Sequence, residues 1–174
     1  MNLILIEADE IDASGEVRLA GARAAHLTLV LRAGLGQEVR VGVVNGAEGV
    51  ATVQSASAGG VTLRCRLTRD VPPKPRVDVL LALPRPKVMR RLWAQLAALG
   101  VGRIILTNAE RVERNYFDAH TLAEHVFRPL LIEGLQQARD TRLPEVSIHR
   151  QFKVLVEDVL DGLDACPDAL AGLY

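Results

Sequence analysis

A proline cluster at residues 71–76 (VPPKPR) divides this chain into two stretches with different rhythms. Pro72, Pro73 and Pro75 have no backbone N–H to give to a sheet, and their rings fix φ. The segment reads as a stiff, extended linker that no regular element should cross. It sets the expected boundary between a first domain, residues 1–71, and a second, residues 77–174, with 72–76 as the link.

Before the linker the pattern is that of small β units. Asn2–Glu7 is a short apolar strand, and Glu16–Leu19 alternates between Gly15 and Gly21. Ala24–Arg32 places Leu27, Val30 and Leu31 at helical i, i+3, i+4 spacing, and Gly34 and Gly36 should end that helix. Gln37–Val44 alternates and runs into Asn45-Gly46, the dipeptide favoured in type I′ hairpins. Gly49–Ser55 and Gly60–Leu67 follow as further strands. Short strands with glycine turns predict a small β-barrel carrying one helix.

Beyond the linker, Val77–Leu83 (VDVLLAL) and Val101–Leu106 (VGRIIL) are mostly apolar runs, as expected of strands covered on both faces. A helix should open at Pro86 or Lys87, run through Leu99 with Leu92, Leu96 and Leu99 on its apolar stripe, and stop at Gly100. Thr121–Ala138 predicts another helix, bent or restarted at Pro129, and Val146–His149 a third strand. Strand, helix, strand, helix, strand implies a parallel sheet with right-handed crossovers, an α/β domain.

Composition narrows the class. Apolar residues make up 49% of the 174 and charged residues 24%, ordinary for a globular chain, while aromatics are only 3%, so the core must be aliphatic. No apolar run approaches the roughly 18–20 residues of a membrane span, and MNLILIEADE lacks the basic start of a secretory signal. Cys65 and Cys166 stand far apart, which argues against a disulfide framework or structural zinc. A soluble, cytoplasmic protein without a membrane partner is expected.

The zero net charge is unevenly spread. Residues 1–71 carry seven basic against eight acidic side chains, 72–150 carry thirteen against eight, and the stretch from Gln151 one against five. A basic middle built mainly from arginine suits phosphate, because the guanidinium fork matches its oxygens; a solvated surface balanced by an acidic tail is the plainer reading.

No G-x-G-x-x-G, Walker or G-x-S-x-G pattern is present. His120 and His125, five apart on a predicted helix, should not share a face and read as surface histidines, so no metal is expected. His26, beside the apolar stripe of its helix, reads from its place as a packed or capping residue. The strand ends are richer, and in open parallel sheets ligands bind beyond the carboxyl ends of strands. Arg85, Lys87, Arg90 and Arg91 follow the first strand, Glu110, Arg111 and Arg114 the second, and Gln136, Gln137, Arg139, Asp140 and Arg142 end the last helix. An anionic ligand there and ordinary helix-terminal arginines fit equally well.

Motifs in order then resemble a known family. The run His26-Leu-Thr-Leu-Val30-Leu31-Arg32-Ala-Gly34-Leu-Gly36 is similar to the H-x-x-x-V-L-R-x-G-x-G start motif of the 16S ribosomal RNA uridine-N3 methyltransferases. Leu99-Gly100-Val101 followed by Glu110-Arg111 resembles their E-L-G-V…S-E-R segment, and Gln137 with Pro144-Glu145-Val146 their E-Q-x-x-R-x-x-x-P-E-[IV] segment. The resemblance covers the chain to about residue 150.

The resemblance implies a PUA-like RNA-binding barrel followed by a SPOUT-type α/β domain, dimeric and using S-adenosylmethionine on 16S rRNA or the small ribosomal subunit. If RNA is the substrate, the candidate contacts are His26, Arg32, Lys87, Arg90, Arg91, Arg111 and Arg114. For methyl transfer to uracil N3, Arg139 or Arg142 would stabilise the uracil oxyanion, and Glu133 or Asp140 would take the proton. The family's helix lysine falls on Gln95, and its arginine after Gln137 falls on Asp140, with Arg139 one place early. The family's G-P-E-G-G and L-G-x-R-I-L-R-x-E-T-A segments, which hold the methyl donor in a knot, have no counterpart before Tyr174. The second domain is therefore expected to be only the N-terminal part of such a domain, with its donor-binding residues unassigned. A non-catalytic RNA-binding module of this family, or an unrelated small-ligand α/β enzyme, are the alternatives.

Overall fold

The computed structural model describes residues 3–57, 59–71, 73 and 77–162. It separates into two compact units. The first comprises Met1–Pro73 together with Gln136–Arg142, and the second Lys74–Leu135 with Leu143–Tyr174. The linker residues 72 and 74–76 and the end of the predicted second domain, from residue 163, lie outside the described residues.

The first unit is a mixed five-stranded sheet. Its strands are β1 (Ile4–Ile6), β2 (Glu16–Leu19), β3 (Glu38–Val43), β4 (Glu48–Ser57) and β5 (Gly60–Arg69), in the order β1-β3-β4-β5-β2. β1 runs parallel to β3 and the other pairs are antiparallel. Alternation decides the faces: Val39, Val41 and Val43 point into the core while Glu38 and Arg40 face solvent. The inward set, with Ile4, Ile6, Leu19, Leu27, Val53 and Leu63, closes one aliphatic core.

The predicted helix over Ala24–Arg32 is real only in part. α1 spans Gly21–Ala25 and then widens over His26–Val30, where the Leu31 N–H bonds the His26 carbonyl at 3.0 Å, five residues back. The wider turn carries Leu27 into the core but leaves Leu29 76% and Val30 64% exposed. The Asn45-Gly46 turn also differs from its prediction. Val43 N–H bonds the Ala47 carbonyl, enclosing three residues, and of the expected pair only Asn45 has positive φ (55°).

That loop is set from a distance in sequence. Asn45 N–H donates to the Thr141 carbonyl, and Thr141 Oγ1 donates to the Gly46 carbonyl, both at 2.7 Å. Thr141 is fully buried, and a Cβ on Gly42 would stand 2.5 Å from its methyl group. Glycine in β3 thus makes room for the segment 136–142.

The second unit is a three-stranded parallel sheet, β6 (Asp78–Ala82), β7 (Arg103–Thr107) and β8 (Glu145–His149), with β7 in the centre. α2 (Pro86–Ala98) follows β6; Pro86 occupies its first turn, where a missing N–H costs nothing. Gly100, at φ 74°, ends it in the left-handed conformation that glycine adopts freely. The buried stripe of α2 is Met89, Trp93, Leu96 and Ala97. Leu99, expected in that stripe, is 77% exposed, because the true core face is centred one residue away, about 100° around the helix. α3 spans Glu124–Ala138 and continues through Pro129. A Cβ on Gly134 would meet the Ala94 carbonyl oxygen at 2.1 Å, so this glycine allows α2 and α3 to touch backbone to backbone. Trp93 stacks on Phe127 with ring centroids 4.7 Å apart. Among the described residues no helix is long and apolar enough to cross a membrane.

Candidate functional site

Register places Ala82, Thr107 and His149 side by side at the carboxyl ends of β6, β7 and β8. Loops leave the sheet here, so this is the end at which an open parallel sheet presents a crevice to ligands. Three polar atoms at this end are buried without a hydrogen-bond partner: Thr107 Oγ1, Asn108 Oδ1 and His149 Nε2. An unsatisfied buried polar atom costs about 1–3 kcal/mol. Three at the loop end of one sheet mark a place suited to receive polar groups of a ligand. None was singled out in the sequence; the signal was a polar residue closing each apolar run, Thr107-Asn108 after IIL and His149 after VSI.

The long loop after β7 is pinned against the same unit. Trp93 Nε1 donates to the Thr121 carbonyl at 3.1 Å. Arg150, just past β8, donates to Asp118 Oδ1 at 2.7 Å and to the Phe117 carbonyl at 3.4 Å, and its guanidinium lies 5.6 Å from the Phe117 ring centroid. Tyr116 donates its hydroxyl proton to Glu113 Oε1 at 2.8 Å, and this carboxylate raises the phenol pKa.

Basic side chains concentrate in the loops and first turns beyond these strand ends. Lys87, Arg90 and Arg91 are exposed on the first half of α2, at i, i+3, i+4 spacing that puts them on one face. Arg111 and Arg114 are exposed in the loop after β7. Among the described residues none of the five has an ion-pair partner. Arg103, at the opposite end of β7, is held between Glu145 (3.3 Å) and Asp78 (3.8 Å).

The residues expected to carry the chemistry fall in both units. Glu133 is exposed on α3 in the second, whereas Arg139, Asp140 and Arg142 belong to the first. Arg139 follows α3 with φ 62° and lines a hollow of about 360 Å³ with Arg40, Gln37 and Leu31. The Asp140 carboxylate accepts the Arg142 backbone N–H at 2.9 Å, which ties it into the turn. Arg32, also in the first unit, is exposed with φ 50°, and His26 is half-buried at the start of the wide turn, its Nε2 enclosed and unpartnered.

The two surface histidines meet, contrary to expectation. His120 lies in a short turn, His120–Leu122, and α3 begins only at Glu124, so they do not lie on one helix. Extended backbone at Ala123 folds the chain back, and the two Nε2 atoms approach to 3.3 Å.

Comparisons with known proteins agree with this architecture. The crystal structure of a probable rRNA-methyltransferase from Porphyromonas gingivalis superposes with a TM-score of 0.69 at 20% identity, over 89% of this chain and 63% of that one. A ribosomal RNA small subunit methyltransferase E from Neisseria gonorrhoeae, bound to S-adenosyl methionine, superposes at 0.63 with 15% identity, over 89% and 66%. In sequence, the ribosomal RNA small subunit methyltransferase E of Treponema pallidum is 27% identical over 155 residues, 88% of this chain and 58% of the relative. The methyltransferase E 1 of Borreliella burgdorferi is 31% identical over 78 residues, 45% of this chain and 33% of the relative. The chain thus spans less than two thirds of the length of these relatives. The profile of the RNA methyltransferase domain matches residues 72–169, the stretch that holds the parallel sheet and its unpaired basic loops. With more than half of its length matched, this chain belongs to the RNA methyltransferase domain family.

Proposed function

We propose that this chain is part of an S-adenosylmethionine-dependent methyltransferase that modifies uridine N3 in small-subunit (16S) ribosomal RNA, acting as a cytoplasmic homodimer. Residues 1–71 form its PUA-like RNA-binding domain, and residues 77–174 the N-terminal part of its SPOUT-type domain. The observation that carries the reading is the set of five unpaired basic side chains, Lys87, Arg90, Arg91, Arg111 and Arg114, beyond the carboxyl ends of the parallel strands. Guanidinium and ammonium groups without carboxylate partners keep their donors available to phosphate. Arg32 and His26 extend the RNA contacts into the first domain.

S-adenosylmethionine, when bound, supplies a methyl group on a positively charged sulfur. Thr107 Oγ1, Asn108 Oδ1 and His149 Nε2 are the unpartnered polar atoms suited to hold its polar groups. Uracil N3 becomes a nucleophile only after losing its proton, and the charge then spreads over O2 and O4. Arg139, without a carboxylate partner among the described residues and lining its hollow beside Arg40, is assigned to that charge, with Arg142 as the second candidate. Asp140 already spends a carboxylate oxygen on the Arg142 N–H, which favours exposed Glu133 as the proton acceptor.

The test is methyl transfer from labelled S-adenosylmethionine to 16S RNA by the full-length protein. Replacing Arg139 by Ala should lower kcat by about 10²–10³-fold while RNA affinity stays within about twofold. A loss confined to RNA affinity, with kcat intact, would remove Arg139 from the chemistry.

A further inference from the structure

On one continuous helix, residues five apart point about 140° away from each other. The chain around His120 and His125 avoids that geometry. His120 opens a three-residue turn, Ala123 is extended (φ −72°, ψ 135°), and His125 is the second residue of α3. The rings meet edge to face, with centroids 5.2 Å apart and planes at 69°, and Nε2 faces Nε2 at 3.3 Å. Both side chains are exposed.

At this distance one ring N–H can donate to the other ring's Nε2, the direction depending on the tautomer; with both protons on Nδ1, the two Nε2 lone pairs are instead free for one ion. Ligands at about 2.0–2.1 Å from a tetrahedral cation stand about 3.3–3.4 Å apart, so the separation that serves a hydrogen bond here also fits two ligands on one ion. We propose that His120 and His125 form a two-nitrogen binding site for a borderline divalent cation of the zinc, nickel and copper class. Imidazole suits these ions, whereas magnesium and calcium prefer oxygen.

Among the described residues no group of three or more His, Cys, Asp or Glu side chains is arranged to hold a metal. An oxygen from water or a phosphate would complete the coordination. The cation would tie the end of the long loop after β7, which carries Arg111 and Arg114, to the start of α3. The site stands apart from the methyl-transfer reading and survives its failure.

The experiment is calorimetric titration of the full-length protein, freed of metal by chelator, with zinc chloride and separately with nickel chloride. One equivalent should bind, and H120Q and H125Q should each weaken it by about tenfold or more, because one remaining imidazole is a single ligand. A chain that binds neither ion, or one whose affinity is unchanged in both variants, would overturn the site. Circular dichroism of each variant, expected to match the parent, confirms that a lost signal is lost coordination.

Discussion

The two units hold contrasting sets of basic side chains. In the first, Arg23, Arg64, Arg66 and Arg69 each face a carboxylate: Glu10, Glu16, Glu38 and Glu48. Three of these pairs join side chains of strands in the one sheet, at 2.7, 3.3 and 2.8 Å. In the second unit, Lys87, Arg90, Arg91, Arg111 and Arg114 have no such partner among the described residues. Charge counted along the chain shows only that residues 72–150 are basic. The structure shows that four arginines of the first unit are spent on carboxylates of that unit, whereas these five basic side chains beyond the parallel strands are not, although Arg103 and Arg150 of the second unit are paired. Exposed pairs are worth only about 0–1 kcal/mol each, so the pairing matters less for stability than for what remains available to phosphate.

The comparison can be pressed through stability. If the second unit rests on apolar layers rather than on charge pairs, its largest single loss should come from the middle of α2. Trp93 is fully buried, stacked on Phe127 and bonded to the Thr121 carbonyl. Trp93→Ala should cost about 3–5 kcal/mol, read by chemical denaturation of that unit. A smaller effect is expected where the segment 136–142 docks on the first unit. Thr141→Val keeps the shape but leaves the Gly46 carbonyl without its donor, and should cost about 1–3 kcal/mol. A neutral result would mean that water takes over the bond.

The smallest effect belongs to the charge pairs themselves. Arg23 beside Glu10 holds the Glu10 carboxyl below its usual range, against the opposing push of partial burial. A depressed folded-state pKa gives stability that is present above the unfolded value and lost as pH falls through the folded one. Glu10→Gln should therefore cost about 0.5–1 kcal/mol at neutral pH, with the gap to the parent closing as pH drops below about 4. A gap that persists in acid would assign the effect to hydrogen-bond shape and not to charge.

Much of this architecture was legible because local signals agreed. Pro86 and Gly100 bound α2, and the apolar runs VDVLLAL and VGRIIL became β6 and β7 of a parallel sheet. What escaped was set by contacts distant in sequence or by a single residue of register. Leucine spacing pointed to Leu92, Leu96 and Leu99, but the volume of Trp93 and the adjacent Met89 turned the helix by one position. The wide turn at His26–Val30 adds a residue that no period reveals. Thr141 reshapes the turn at Asn45-Gly46 from nearly a hundred residues away. At the candidate site the basic loops could be read from their place after apolar runs. The meeting of His120 and His125 could not, because it depends on where α3 begins.

The central claim is that unpaired arginines in the second unit contact RNA while paired ones in the first do not. Its most direct test is the salt dependence of affinity for a 16S RNA transcript, measured for R90A/R91A and for R64A/R66A. The account predicts weaker binding and a slope of log K against log salt reduced by about one to two for R90A/R91A, with R64A/R66A close to the parent. Equal slopes for the parent and R90A/R91A, or a larger loss in R64A/R66A, would contradict it.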